Sequence, residues 1–164
     1  MTRTVTKGHH RFSGWFPPRV YVGDPPSVRW DVKFDRSCTV IEPGPDSRDW
    51  NKCVGLSFGL HTREAARFGW RGTGSGVEVC AYLTEGGANN GLQATAYPID
   101  VDARHMMELR PRMRVNSIDC SLFLDGVLIG VSVHPNAGWG YRLNPYFGGN
   151  LPAPVDMSID VSTF

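Results

Sequence analysis

Apolar and polar residues alternate through VRWDVKF at positions 28–34, with Val28, Trp30, Val32 and Phe34 on one side and Arg29, Asp31 and Lys33 on the other. A period of two is the geometry of a β-strand with one buried face. The pattern recurs at Val54, Leu56, Phe58 and Leu60, at Val77, Val79, Ala81 and Leu83, and at Val155, Met157, Ile159 and Val161. These runs span the chain from early to late, and 19 Gly and 12 Pro punctuate it, which favours many short strands over long helices. Helical pattern survives in two ambiguous pieces only: residues 62–67, room for one turn, and residues 103–109, which Pro111 would stop.

The sharpest local signal is Asp125-Gly126 between two alternating runs at positions 117–133, which predicts a two-residue type I′ hairpin. Pairing Leu124 with Val127 sets Leu122 across from Ile129, Cys120 from Val131 and Ile118 from Val133, giving one wholly apolar face. Cys120 on that face reads as a small buried hydrophobe. About ten to twelve such strands predict an all-β chain, an antiparallel β-sandwich or jelly roll. Residues 1–19, with Pro17-Pro18, read as an extended N-terminal arm, and residues 20–164 as a single sandwich domain.

Charge adds little to this picture. The 17 Lys+Arg against 16 Asp+Glu leave a formal net charge of +1, too balanced for bulk attraction to nucleic acid or membrane, so any charged partner is recognised locally. The N-terminus has no apolar run of leader type and the chain no membrane-spanning stretch, from which cytoplasmic synthesis without export or membrane insertion is expected. Cys38, Cys53, Cys80 and Cys120 lack metal-site spacing, and reduced structural thiols are expected.

Three constellations are candidates for chemistry. Trp50, His61, Trp70 and Arg71 lie in a stretch dense in aromatics, Gly and Arg, and aromatic faces suit pyranose C–H groups; the same rings can equally cover the core. Residues 136–150 form a Gly, Asn and aromatic loop with Asn136, Trp139 and Tyr141 as ligand contacts, or a loop folded over the sheet and pinned by its own rings. Arg104 and His105, with Arg110, Arg112 and Arg114 on alternate positions, make a basic stripe for an acidic partner, or the charged protection of an edge strand.

The segments DWNKCVGLSFGLHTREAARFGWRG and RLNPYFGGNLPAPVDMSIDV resemble sandwiches of the concanavalin A-like lectin and glucanase type. The chain is similar in particular to small bacterial and tailed-phage proteins that carry a PYFGGN segment. That fold hosts lectins, hydrolases, lyases and virion components. A related glucanase would need an ExDxxE strand, which Glu42, Glu64, Glu78, Glu85 and Glu108 never form, and the paired motifs of related alginate lyases are also missing. The resemblance implies no metal and no cofactor.

The resulting expectation is a noncatalytic virion module of a tailed phage, a decoration, fibre or tail-associated protein located in the virion. It would form homo-oligomers or contact other virion proteins, with a cell-surface glycan as a further partner and no sequence-specific nucleic acid. The alternative is a carbohydrate-binding, lectin-like protein using Trp70, Arg71, Asn136, Trp139 and Tyr141. A third reading is a polysaccharide lyase or hydrolase with an atypical proton-transfer set of His61, Arg71, Tyr141 and Tyr146.

Overall fold

A computed structural model describes residues 1–13, 19–41, 49–90, 93–148 and 151–164. The described strands are β1 Thr2–Val5, β2 Val20–Val22, β3 Val28–Phe34, β4 Asn51–Ser57, β5 Ala65–Gly72, β6 Val77–Glu85, β7 Ala88–Asn89, β8 Tyr97–Ile99, β9 Arg104–Met113, β10 Ser117–Leu124, β11 Val127–Pro135, β12 Trp139–Leu143 and β13 Met157–Thr163. The first sheet runs β1-β13-β3-β9-β10-β11, and the second β2-β12-β4-β5-β6-β7 with β8 also on β6. Stacked face to face, the two antiparallel sheets form a jelly-roll β-sandwich, as the alternation predicts.

The inward set of β3, Val28, Trp30, Val32 and Phe34, is buried, as are Val77, Val79 and Ala81 of β6 and Met157, Ile159 and Val161 of β13. Between the sheets Trp70 packs on Phe34 at 5.4 Å and on Phe147 at 5.9 Å between ring centroids. All four cysteines are buried thiols, and burial pushes those of Cys38, Cys53 and Cys80 up to about 12. Cys120 is buried on the inner face of β10, as its position in the alternation predicts.

Elsewhere the simple alternation breaks. Leu60 is 59% exposed, because β4 ends at Ser57 and the chain turns at Gly59, whose φ of +90° suits glycine. Along β4 a bulge sets Cys53 and Val54 together opposite Phe68, between the Lys52↔Gly69 and Gly55↔Arg67 pairs, and both side chains enter the core. The turn at Asp125 and Gly126 has the left-handed φ values of the type I′ hairpin, 49° and 82°. A register shift near Leu122 then pairs Leu122 with Gly130, Cys120 with Ser132 and Ile118 with His134.

Val131 and Val133, expected on the apolar face, therefore point outward at 63% and 60% exposure, while Ser132 and His134 are buried. Gly130 marks the reason: a Cβ there would collide with that of Ala81 on the opposite sheet. Of the two ambiguous helical pieces, residues 62–67 are a turn running into β5, and residues 103–109 run into β9.

The N-terminal segment is not an arm set apart from the sandwich. β1 pairs with β13 in the first sheet, Val5 and Phe12 are core residues, and Ser13 N–H donates to the Thr4 carbonyl at 2.7 Å. Pro17 and Pro18 lie outside the described residues. Deletion of residues 1–13 should therefore lower stability by at least about 3 kcal/mol, the order of one large core truncation, in urea unfolding; an unchanged midpoint would restore the separate arm. Gly130→Val should cost about 1–3 kcal/mol in the same measurement, by forcing the sheets apart.

Candidate functional site

Alternation along β5 sends Ala66, Phe68 and Trp70 into the core and Arg67, Gly69 and Arg71 to the outer face of the second sheet. On β6 it sends Glu78, Cys80, Tyr82 and Thr84 to that face. The outer face carries a groove of about 700 Å³ whose polar lining includes Lys52, His61, Arg67, Tyr82, Tyr141 and Asn144. Arg11, Arg142 and Tyr146 complete its charged and aromatic rim. Among the described lining residues there is no Asp or Glu.

Arg67 sits at its centre and is 9% exposed. Its Nη2 donates to the carbonyls of Cys53 at 3.1 Å and Asn144 at 3.0 Å, and its buried Nε has no partner among the described residues. Burial lowers its pKa to about 10, since a charge withdrawn from water is less favourable. Gly55, cross-strand from Arg67, is what makes room: any Cβ there would collide with the Arg67 Cβ and the Ala66 carbonyl.

His61 and Tyr141 face each other at one end. The Tyr141 hydroxyl hydrogen-bonds His61 Nδ1, and burial, with the charge of Arg67 second, lowers the His61 pKa from its ordinary value. The imidazole is thus held neutral, so Nδ1 accepts the phenolic proton. Tyr141 is placed by its backbone, whose N–H donates to Ser57 Oγ at 3.0 Å. The turn bearing His61 is closed by Phe58 N–H on the Glu64 carbonyl at 3.0 Å. Glu64 in turn meets Gly86 N–H at 2.8 Å and His134 Nδ1 at 2.8 Å, and His134 Nε2 meets Ser132 Oγ at 2.8 Å. The inward Ser132 and His134 of β11 thereby brace a turn of the other sheet.

The opposite wall is the segment after β12. Tyr146 and Lys52 exchange backbone hydrogen bonds at 2.8 and 2.9 Å, Phe147 N–H donates to the His10 carbonyl at 2.8 Å, and His10 stacks on Tyr146 at 5.6 Å. Lys52 Nζ donates to the Gly148 carbonyl at 3.2 Å and lies 5.1 Å from the Tyr82 ring centre. Of the sequence-stretch PYFGGN, Gly149 and Asn150 lie outside the described residues.

The proposed glycan residues divide accordingly. Tyr141 lines the groove, and Trp139, 40% exposed, extends it as a ring stacked on Tyr141 at 6.3 Å. Trp70 is fully buried between the sheets and offers no face to a ligand. Asn136 Oδ1 accepts Gly138 N–H at 3.0 Å and shapes a turn. Arg71 shares the outer face but is held by Glu78 at 2.9 Å and stacks over Trp50 at 4.3 Å, and Trp50 itself is buried with Cys80 and Tyr82. Arg67, Lys52, Tyr82 and Asn144 were not singled out as contacts in the sequence; the polar half of the β5 and β6 alternation is the only signal for Arg67 and Tyr82, and Lys52 on β4 and Asn144 after β12 lie outside it.

The basic stripe lies on the outer face of the first sheet. β9 is a central strand between β3 and β10, so its arginines protect no edge. Arg104 is held by Asp31 and Asp160 at 3.0 and 2.7 Å, Arg110 by Glu108 at 2.6 Å and Arg114 by Asp119 at 2.7 Å. His105 is instead buried and bonded to Asp125 at 2.8 Å. Arg112 is exposed and has no ion pair among the described residues.

No family model and no curated protein matches the chain. Similar solved structures are jelly-roll sandwiches. An alginate lyase of polysaccharide lyase family 7 shares 8% identity at a TM-score of 0.48, over 100% of this chain and 63% of that one. A Corynebacterium alginate lyase shares 9% at 0.46, over 100% and 62%. A galectin from Caenorhabditis elegans shares 15% at 0.45, over 90% and 92%. The chain thus spans less than two thirds of either lyase. The two lyases correct the expectation of a noncatalytic protein, which had rested on missing motifs of related enzymes; at these identities the likeness concerns the fold and assigns no activity.

Trp70→Ala should cost about 3–5 kcal/mol in urea unfolding, as a core truncation does, whereas Trp139→Ala should stay within about 0.5 kcal/mol. Equal effects would contradict the placement of the two rings.

Proposed function

We propose that the groove on the second sheet binds a segment of acidic polysaccharide. The observation that carries this reading is a lining with Arg11, Lys52, Arg67 and Arg142 and, among the described residues, no carboxylate. Guanidinium groups present paired donors that match a carboxylate or sulfate, and the Trp139–Tyr141 rings give sugar C–H groups an apolar platform. A glycosidase mechanism needs two carboxylates across the scissile bond, so the same lining speaks against hydrolysis.

The His61–Tyr141 pair favours a second reading, β-elimination on a uronate. Transfer of the phenolic proton to His61 leaves a phenolate that takes the proton beside the sugar carboxylate, and the imidazolium returns one to the leaving oxygen. Arg67 beside them supports it by stabilising charge on that carboxylate. A tailed-phage particle, with further copies of the chain or other virion proteins as partners, is the setting we propose from the sequence resemblance alone; there the groove would meet cell-surface glycan.

Calorimetric titration with polygalacturonate, alginate and neutral dextran tests the binding reading. The acidic polymers should bind with affinity that falls as salt rises, dextran should not, and Lys52→Gln should weaken binding about threefold to tenfold. Equal binding of dextran, or none of either acidic polymer, would overturn it. If unsaturated product appears by ultraviolet absorbance, Tyr141→Phe should abolish it. The lowered His61 pKa keeps the imidazole neutral to lower pH, so the acid limb of the rate should lie below 6.5, the ordinary histidine value.

A further inference from the structure

A second cavity, about 390 Å³, opens where the β1–β13 edge of the first sheet meets the β2–β12 end of the second. Its lining includes Arg3, Arg19, Trp30, Arg142, Ser162 and Thr163, and among the described lining residues no Asp or Glu. It touches the groove only along residues 142–145.

The arginines are brought together by the fold against their mutual repulsion. Arg142 follows Tyr141, which pairs with Val20, so Arg142 lies directly across from Arg19, and its N–H donates to the Arg19 carbonyl at 3.1 Å. Like charges directly opposite on paired strands are destabilising. Arg3 adds a third guanidinium from an inward position of β1, where it is buried. Burial and, second, the charge of Arg19 lower the pKa of Arg142. Neither Arg19 nor Arg142 has a carboxylate partner among the described residues. Asp160, on the same strand as Ser162, is taken by Arg104 at 2.7 Å and by the ammonium of Met1, which lines the cavity, at 2.7 Å.

We propose that this cavity is an oxyanion site, in which Arg3, Arg19 and Arg142 grip a sulfate, phosphate or carboxylate group and the Thr163 hydroxyl, on the same face of β13 as the inward Val161, completes its hydrogen bonds. A bound oxyanion turns the repulsion into three charge-assisted contacts. The proposal stands apart from the groove, because Arg3 and Arg19 line no part of it. The anion is either a free ion or an acidic group of a polymer.

Thermal unfolding in sodium sulfate and sodium phosphate, against sodium chloride at matched ionic strength, reads the site directly. Sulfate or phosphate should give a saturable rise in Tm that chloride does not. Arg19→Gln and Arg142→Gln should each raise the half-saturating concentration about tenfold. Arg19 is exposed, so its variant keeps the test valid if Arg142→Gln folds poorly. No saturable rise beyond chloride, or an unchanged half-saturation in Arg19→Gln, overturns the site and leaves the arginines as charged protection of sheet edges.

Sulfated dextran then separates the sources. Binding weakened by Arg19→Gln and not by Lys52→Gln assigns the anion to a polymer, and response to the inorganic ions alone assigns a free ion; both uphold the site. Failure of the groove reading appears separately, in the acidic-polymer titrations and their Lys52 dependence.

Discussion

A guanidinium buried on the outer face of a sheet needs compensation for its lost hydration, and the second sheet is built around that need. The bulge on β4 gives Arg67 a carbonyl to donate to, at Cys53, and Gly55 gives it room beside its own strand. The carbonyl of Asn144 supplies a second acceptor from the segment after β12. One buried charge thereby ties β4, β5 and the far wall of the groove together. Loss of either acceptor would leave the buried charge with one of these two hydrogen bonds in a place that water reaches poorly.

The remaining groove geometry follows from contacts between the sheets. Gly130 lets β11 approach Ala81, and the register shift beside it turns Ser132 and His134 inward. His134, stacked on Phe58 at 4.5 Å, fixes Glu64 and hence the turn that carries His61. Ser57 sets Tyr141 from the neighbouring strand. The His61–Tyr141 contact is therefore held by residues of both sheets, and a buried polar network with all its members bonded is a rigid support for such a pair.

Arginine recurs at each charged surface of the molecule with different consequences. On the first sheet, carboxylates of the same sheet hold Arg104, Arg110 and Arg114, which leaves that stripe largely neutralised. On the second sheet, and at the cavity beside it, the described linings hold arginines without carboxylates. Since partial neutralisation by the protein itself removes the reason to bind an anion, the groove and the cavity are the better candidates for acidic ligands.

Period-two alternation on β3, β6 and β13 was enough to read the sandwich and much of its core from the sequence, because side-chain direction in a strand depends on position alone. The Asp125-Gly126 turn was equally legible, since left-handed backbone at two successive residues selects those types. Trp139 and Tyr141 were picked out as contact aromatics of a loop, where the structure has strand β12 with Tyr141 half-buried, but Trp70 was misplaced, because an indole serves a core and a ligand face equally well. The bulge on β4, the shift on β11 and the pairing of β1 with β13 depend on how the opposite sheet packs, a non-local condition that no single segment records. For the same reason tertiary structure alone decided that Arg67 is buried in a groove, that His134 braces a distant turn, and that Arg3 joins Arg19 and Arg142.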